Sequence, residues 1–179
     1  MQRSRRFARS FRDCIGDASR RPRIHHGAER YGGADVQGPL RSDWIEMAEA
    51  KLAHLLRTTT CQTLLHGDLH HENILRQGLD DWVVIDPKGI LGDPHFDTIQ
   101  FLLNDTERDG DADVVLARRV GEMAKRLHLD PARIGWWGVV RGALEACWAL
   151  NGGGGDGGAG DGIAISERFA RMLRDSRLR

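Results

Sequence analysis

The chain has 179 residues, and its 26 Lys and Arg balance 26 Asp and Glu, which gives a formal net charge of zero. A chain of this length forms one domain, or one domain with a small appendage. A balanced charge excludes a strong overall field towards nucleic acid or an anionic membrane, and no apolar stretch approaches the roughly 18 residues of a membrane span. We therefore expect no nucleic-acid partner, no membrane partner and a cytoplasmic location.

Residues 1–41 form a basic segment without a regular apolar pattern. Nine Arg lie between residues 1 and 31, against Asp13, Asp17 and Glu29. Such a composition buries too little apolar surface to offset the entropy of ordering the chain. We predict a disordered leader over 1–41 and a folded part over 42–179.

The folded part is expected to begin with helices that flank one β-hairpin. An amphipathic helix starts at Asp43, an N-cap with Glu46 three residues later. The segments NILRQ and DWVVID flank the turn GLD as two short strands, and FDTIQFLL then has a helical pattern. After the polar loop NDTERDGDAD, a further helix is predicted over Val114–Leu127.

The C-terminal part of the chain is predicted to be helical, with one break. Asp130 followed by Pro131 is typical of a helix start, and this helix is expected to run to Leu150. The Gly-rich tract 151–162 predicts a flexible linker before a last helix, ISERFARMLRDS. The predicted fold class is therefore α+β, mostly helical with a small central hairpin.

Two acidic loops contain the residues that indicate a chemical function. HGDLHHEN places Asp68 and Asn73 five residues apart, and Asp86 ends the hairpin that starts at Asn73. Antiparallel pairing would bring the Asp86 carboxylate back beside the Asn73 side chain, where a hard divalent cation finds oxygen ligands. A D-x-x-x-x-N loop followed by a second Asp after a hairpin is the spacing used for phosphoryl transfer.

These strings carry a family resemblance. LLHGDLHHENIL, WVVIDPKG and LGDPHFD resemble the C-terminal lobe of the aminoglycoside phosphotransferase family over roughly Ser42–Leu150. The IDPKG form is similar to the streptomycin 6-kinase and hydroxyurea-resistance branch. The resemblance implies a protein-kinase-like fold, ATP as the phosphate donor, Mg²⁺ as the cofactor, and a hydroxyl group of a streptomycin-like antibiotic as the acceptor.

The resemblance also implies a role for each matched site residue. Asp68 would be the catalytic base, and Asn73 and Asp86 would bind Mg²⁺. His66 would support the loop from beneath. Asp97, in GDPHFD, would accept backbone hydrogen bonds that brace the catalytic loop.

Two further residues are candidate contacts. Lys88, just after Asp86, would neutralise phosphate near the metal; otherwise it is an exposed cation in a turn. Trp137 lies in WWGVVRGALEACWAL, which looks like the tryptophan-rich helix on the antibiotic side of this branch. It is therefore a candidate substrate contact, with a place in the core as the alternative.

The N-lobe of a kinase is expected to be missing. Kinases of this lineage use an N-lobe strand lysine to bind the nucleotide phosphates. Lys51, Lys88 and Lys125 are the only lysines, and none is placed to do this. The tract Gly153–Gly158 matches G-x-G-x-x-G, but it follows the catalytic loop and no strand flanks it. We therefore expect a weakly active or inactive chain that results from a truncated gene, a wrong start codon or a frameshift.

Three functions stay open at this point. The first is an antibiotic kinase, the second is a kinase of another small alcohol, and the third is a non-catalytic remnant that binds drug, magnesium or a partner N-lobe. An RNA or DNA tether is not favoured, because the Arg-rich leader lacks interleaved aromatic residues and a reader fold.

Overall fold

The computed structural model describes residues 42–104, 111–150 and 159–175. It contains five helices of ten or more residues and four short strands in these ranges. The helices are α1 (Ser42–Thr58), α2 (Pro94–Leu103), α3 (Ala112–Leu127), α4 (Pro131–Leu150) and α5 (Ala159–Arg174). The strands are β1 (Thr63–Leu65), β2 (Ile74–Arg76), β3 (Trp82–Val84) and β4 (Ile90–Gly92). The predicted leader, the middle of the polar loop and most of the Gly-rich tract lie outside the described residues.

Helix α4 lies at the centre of the hydrophobic core. Its side chains are apolar on most of its circumference, and a helix of this composition is stable only when other elements cover it. Ile134, Val140 and Leu144 are completely buried, and α1, α2, α3 and α5 all pack against this helix. The core therefore assembles around α4.

Helix α5 approaches α4 closely because glycine faces it. A Cβ atom added to Gly138 would lie 2.3 Å from the ring of Phe169, which is itself completely buried. On the α5 side, Gly162 leaves equally little room against Ala146. This contact explains why α5 begins at Ala159, within the tract 151–162 that the sequence predicted to be a linker.

The strands form two ribbons, whereas the sequence predicted one hairpin. The predicted hairpin is confirmed, since β2 pairs with β3 in antiparallel register from Ile74 opposite Val84 to Arg76 opposite Trp82. The second ribbon joins β1 to β4, with Leu65 opposite Ile90. Three-residue strands that are far apart in sequence leave no local pattern, so the β1–β4 pairing was missed.

The predicted class is confirmed as α+β, with helices in most of the described chain and small antiparallel sheets. The helix that was expected after Asp130 runs from Pro131 to Leu150, and the Asp130 carboxylate caps it by accepting a 2.9 Å hydrogen bond from the N–H of Ala132. In the described ranges, every helix is too short or too polar to cross a membrane.

Candidate active site

The HGD turn at the end of β1 is held by a carboxylate from α2. Asp97 Oδ2 accepts a 2.6 Å hydrogen bond from the backbone N–H of His66, and Asp97 Oδ1 accepts a 2.8 Å hydrogen bond from the N–H of Gly67. Asp97 lies in the first turn of α2. One carboxylate thus fixes two consecutive peptide groups immediately before Asp68, which restricts the position of the Asp68 side chain.

The His66 side chain ties the same turn to the hairpin. Its Nε2 lies 2.7 Å from the carbonyl oxygen of Ile85, and its Nδ1 lies 3.3 Å from the backbone N–H of Asp68. A carbonyl only accepts and a peptide N–H only donates, so both contacts require the tautomer with hydrogen on Nε2. His66 therefore links Asp68 to the residue just before Asp86.

Gly67 is required by the shape of this turn. Its φ angle is +83°, and an added Cβ would lie 2.8 Å from Cδ1 of Ile90. The β1–β4 pairing extends one step beyond the two strands, because the N–H of Lys88 donates a 2.7 Å hydrogen bond to the His66 carbonyl. Asp68 and the Asp86–Lys88 segment are thereby placed side by side.

Asn73 is oriented by the loop that contains Asp68. It is 8% exposed, at the end of a short 3-10 helix, His71–Asn73. Its Nδ2 donates a 2.9 Å hydrogen bond to the Asp68 carbonyl and lies 3.0 Å from Nε2 of His70. Within the described part of the chain, its Oδ1 makes no hydrogen bond, so an oxygen ligand remains for a cation.

Asp86 and Asp68 are brought together around one positive charge. Lys88 Nζ lies 2.5 Å from Asp86 Oδ2 and 3.7 Å from Asp68 Oδ2. The hydrogen bond from Lys88, with its positive charge, lowers the pKa of Asp86 below its usual value, and the same hydrogen bond raises the pKa of Lys88. The Asp86 carboxylate is therefore ionised near neutral pH in this arrangement.

The donor set fits a hard divalent cation. The hairpin continues beyond β2 and β3 through a 3.0 Å hydrogen bond from the Ile85 N–H to the Asn73 carbonyl, which places Asp86 next to Asn73 along the ribbon. The carboxylate of Asp86 and the amide oxygen of Asn73 are ligands of the kind that Mg²⁺ uses when it keeps several waters. Among the described residues, no group of three or more His, Cys, Asp and Glu side chains is arranged so that it could hold a metal ion by itself.

Trp137 lies in the hydrophobic core. It is 3% exposed, and its ring meets Phe96 edge to face with a centroid distance of 5.5 Å. Its indole N–H donates a 2.9 Å hydrogen bond to Asp93 Oδ2. The predicted substrate contact through Trp137 stays a prediction, and the contacts observed for this residue are structural.

Asp93 is an important residue that the sequence analysis missed. It is 4% exposed and caps α2, accepting a 3.1 Å hydrogen bond from the N–H of His95. Burial alone would raise its pKa, but hydrogen bonds from His95, Trp137 and Arg133 outweigh burial and hold the pKa far below its usual range. Asp93 is therefore a buried carboxylate that is ionised at neutral pH, four residues before Asp97.

Arg133 connects this anion to α1. Its Nε donates a 2.6 Å hydrogen bond to Asp93, while its Nη2 donates to the carbonyl of Leu55 at 2.8 Å and to Thr59 at 2.9 Å. The start of α4, the start of α2 and the end of α1 thus meet at one ion pair. Arg133 and Asp93 are 40 residues apart, so no local pattern could have revealed the pair.

Of the residues predicted for the site, the structure brings Asp68, Asp86 and Lys88 together, and it joins Asp97 and His66 to the loop that carries Asp68. Asn73 contacts the same loop through its side-chain nitrogen. Trp137 is the one predicted residue that lies in a different environment.

The sequence matches the family described as aminoglycoside/hydroxyurea antibiotic resistance kinase over residues 19–153. The chain is 37% identical over 93 residues to a streptomycin 6-kinase of Streptomyces griseus, and the matched region covers 50% of this chain and 30% of that enzyme. It is 35% identical over 96 residues to a streptomycin 3''-kinase of Klebsiella pneumoniae, with 50% and 35% covered. With a hydroxyurea phosphotransferase of Kitasatospora aureofaciens, it shares 32% identity over 97 residues, with 50% and 25% covered.

The chain thus spans about a third or less of the length of these curated relatives. No solved structure matches it. The family match covers most of the chain and includes both acidic loops, which confirms the resemblance seen in HGDLHHEN and IDPKG. The chain belongs to the aminoglycoside/hydroxyurea antibiotic resistance kinase family.

Proposed function

We propose that the chain carries the catalytic loop and metal ligands of an ATP-dependent phosphotransferase that acts on a hydroxyl group of a streptomycin-like antibiotic. The observation that carries this proposal is the convergence of Asp68 and Asp86 on one cation, the ammonium group of Lys88. The names of the relatives, two streptomycin kinases and a hydroxyurea phosphotransferase, support the reaction type and the class of acceptor.

Each site residue has a definite task in this proposal. Asp68 is 32% exposed, so it is open to an incoming hydroxyl group, and it accepts the proton as the oxygen bonds to the γ-phosphorus of ATP. The bond from that phosphorus to the ADP oxygen breaks in the same step. Asn73 and Asp86 hold Mg²⁺, which when bound offsets the negative charge of the phosphates. His66 and Asp97 position the loop, and the Lys88 ammonium group lies where it can pair with phosphate.

The described residues account for one side of such a site. In the ranges 42–104, 111–150 and 159–175, neither a Gly-rich strand pair nor a lysine on a strand lies above the two carboxylates. Such elements normally supply much of the electrostatic stabilisation of the transferred phosphoryl group, about two to three orders of magnitude in rate for each main donor. We therefore propose slow transfer by the described part of the chain. ATP as the donor favours the cytoplasm as the location.

Labelled-phosphate transfer from ATP by the purified full chain tests the proposal. Wild type, Asp68→Asn and the control Asp80→Asn, an exposed residue of the hairpin turn, are compared with streptomycin and with other small alcohols as acceptors. We expect transfer to streptomycin that is lost in Asp68→Asn and kept in Asp80→Asn. Transfer only to another alcohol would replace the proposed acceptor. No transfer to any acceptor, with Mg²⁺ or drug binding retained, would leave a non-catalytic binding module.

A further inference from the structure

Lys88 is part of the acidic site in its present form. Its Nζ is in contact with Asp86 Oδ2, at 2.5 Å, and lies near Asp68 Oδ2, at 3.7 Å. The nitrogen therefore lies on the carboxylate that is a candidate ligand of a divalent cation, with the candidate catalytic base nearby.

The backbone keeps Lys88 at this position. Its N–H donates a 2.7 Å hydrogen bond to the carbonyl of His66. Its Cβ passes over the HGD turn, 3.2 Å from the place where a Cβ of Gly67 would lie. The first atoms of the side chain are thus fixed, and only the outer methylene groups and the ammonium group can move.

The charges set up a competition. An ammonium ion and a divalent cation both seek Asp86 Oδ2, and Mg²⁺ requires its oxygen ligands at about 2.0–2.1 Å. The two cations cannot share this oxygen, because they repel each other and because the metal's water shell needs the space that Nζ occupies. The Lys88 side chain is 45% exposed, so it has room to swing towards solvent when the ammonium group leaves.

We propose that Lys88 is a resident counter-ion of the site, whose ammonium group a divalent cation must displace from Asp86 in order to bind. This inference rests on the proposed function, because it assumes that Asp86 is a metal ligand. The ammonium group keeps the two carboxylates close together without metal, and it lowers the apparent affinity for the ion. After displacement, the same group is adjacent to the metal and available for a phosphate.

The test is a titration of the full chain with Mn²⁺, an octahedral oxygen-seeking ion whose free form is measured by electron paramagnetic resonance. Wild type is compared with Lys88→Met and with the matched control Lys125→Met, an exposed lysine on α3. Asp86→Asn reports whether binding occurs at the proposed site. Circular dichroism and thermal melting verify that each variant is folded.

We expect Lys88→Met to lower the Mn²⁺ dissociation constant about three- to tenfold, the range for loss of one exposed competing ion pair and one positive charge. Lys125→Met should change it less than about twofold. If Lys88→Met binds Mn²⁺ and wild type does not, the inference is also supported, because the ammonium group of wild type then outcompetes the ion.

Two distinct results would overturn the proposed counter-ion role of Lys88. If wild type and Lys88→Met bind Mn²⁺ equally, or if Lys88→Met binds more weakly, while Asp86→Asn abolishes binding, the metal site stands and the counter-ion role is wrong. If neither wild type nor Lys88→Met binds Mn²⁺, the metal ligands of the proposed function fail as well.

Discussion

Replacing Asp93 with Ala should strongly destabilise the fold, because this buried carboxylate joins three helices. The substitution leaves the buried indole N–H of Trp137 without its acceptor, at a cost of about 1–3 kcal/mol. It removes the cap of α2, worth about 1 kcal/mol. It also removes the charged hydrogen bond from Arg133 Nε, worth about 1.5–3 kcal/mol.

These contributions are not additive, so the expected loss is about 3–5 kcal/mol, the range for breaking a buried ion pair by removing one partner. In Asp93→Ala, Arg133 keeps its hydrogen bonds to the Leu55 carbonyl and to Thr59, which limits the cost of leaving its guanidinium group without the carboxylate. Arg133→Met should therefore cost at least as much as Asp93→Ala, because it removes all of these hydrogen bonds and leaves the buried Asp93 carboxylate without its cation. A double-mutant cycle between these two sites should give a coupling energy of about 1.5–3 kcal/mol.

Urea unfolding measures these changes, followed by tryptophan fluorescence and by far-UV circular dichroism. Asp80→Ala, in the exposed hairpin turn, is the control and should stay within about 0.5 kcal/mol of wild type. The reasoning would be refuted by an Asp93→Ala variant that unfolds within about 1 kcal/mol of wild type with an unchanged slope. A coupling energy near zero would refute the role of the ion pair alone.

Two more predictions concern pH and packing. Because the folded state lowers the pKa of Asp93, the contribution of its carboxylate to stability is complete above the unfolded pKa and is lost as the pH falls. Between about pH 5 and pH 3, the free energy of unfolding should therefore drop more steeply in wild type than in Asp93→Asn. Equal slopes in the two proteins would contradict this prediction. Gly138→Ala should destabilise by about 1–3 kcal/mol, because the added methyl group overlaps the Phe169 ring. Gly121→Ala, in an open part of α3, should instead stabilise by about 0.5–1 kcal/mol in the same thermal-melting assay, and a similar loss in both variants would show that packing is not the cause.

The sequence predicted the helices and the β2–β3 hairpin well, because their signals are local. Asp130–Pro131 marks the start of α4, and the turn GLD between two apolar segments marks the hairpin. Hairpin pairing likewise predicted that Asp86 lies beside Asn73. The approach of the Asp86–Lys88 segment to Asp68 depends in addition on the hydrogen bond from Lys88 to His66 on the β1–β4 side, which the sequence did not reveal.

Other features have no local signal. The β1–β4 ribbon pairs residues that are separated by the whole hairpin, and the Asp93–Arg133 ion pair joins α2 to α4. The boundary of α5 is also non-local, because Gly162 is helical owing to its contact with Ala146 on α4. Each of these features depends on packing between segments that are distant in sequence, so no local sequence pattern predicts it.

The backbone at Asp86 has a consequence for any attempt to evolve this protein. Its φ angle is +55°, a left-handed conformation in which an L side chain is strained and glycine is not. The Asp86 side chain is 65% exposed, so its ion pair with Lys88 contributes little to folding. Selection for heat resistance alone would therefore favour Asp86→Gly and eliminate the proposed metal ligand. Laboratory evolution of this chain needs a screen for ion binding or phosphate transfer alongside the screen for thermal tolerance.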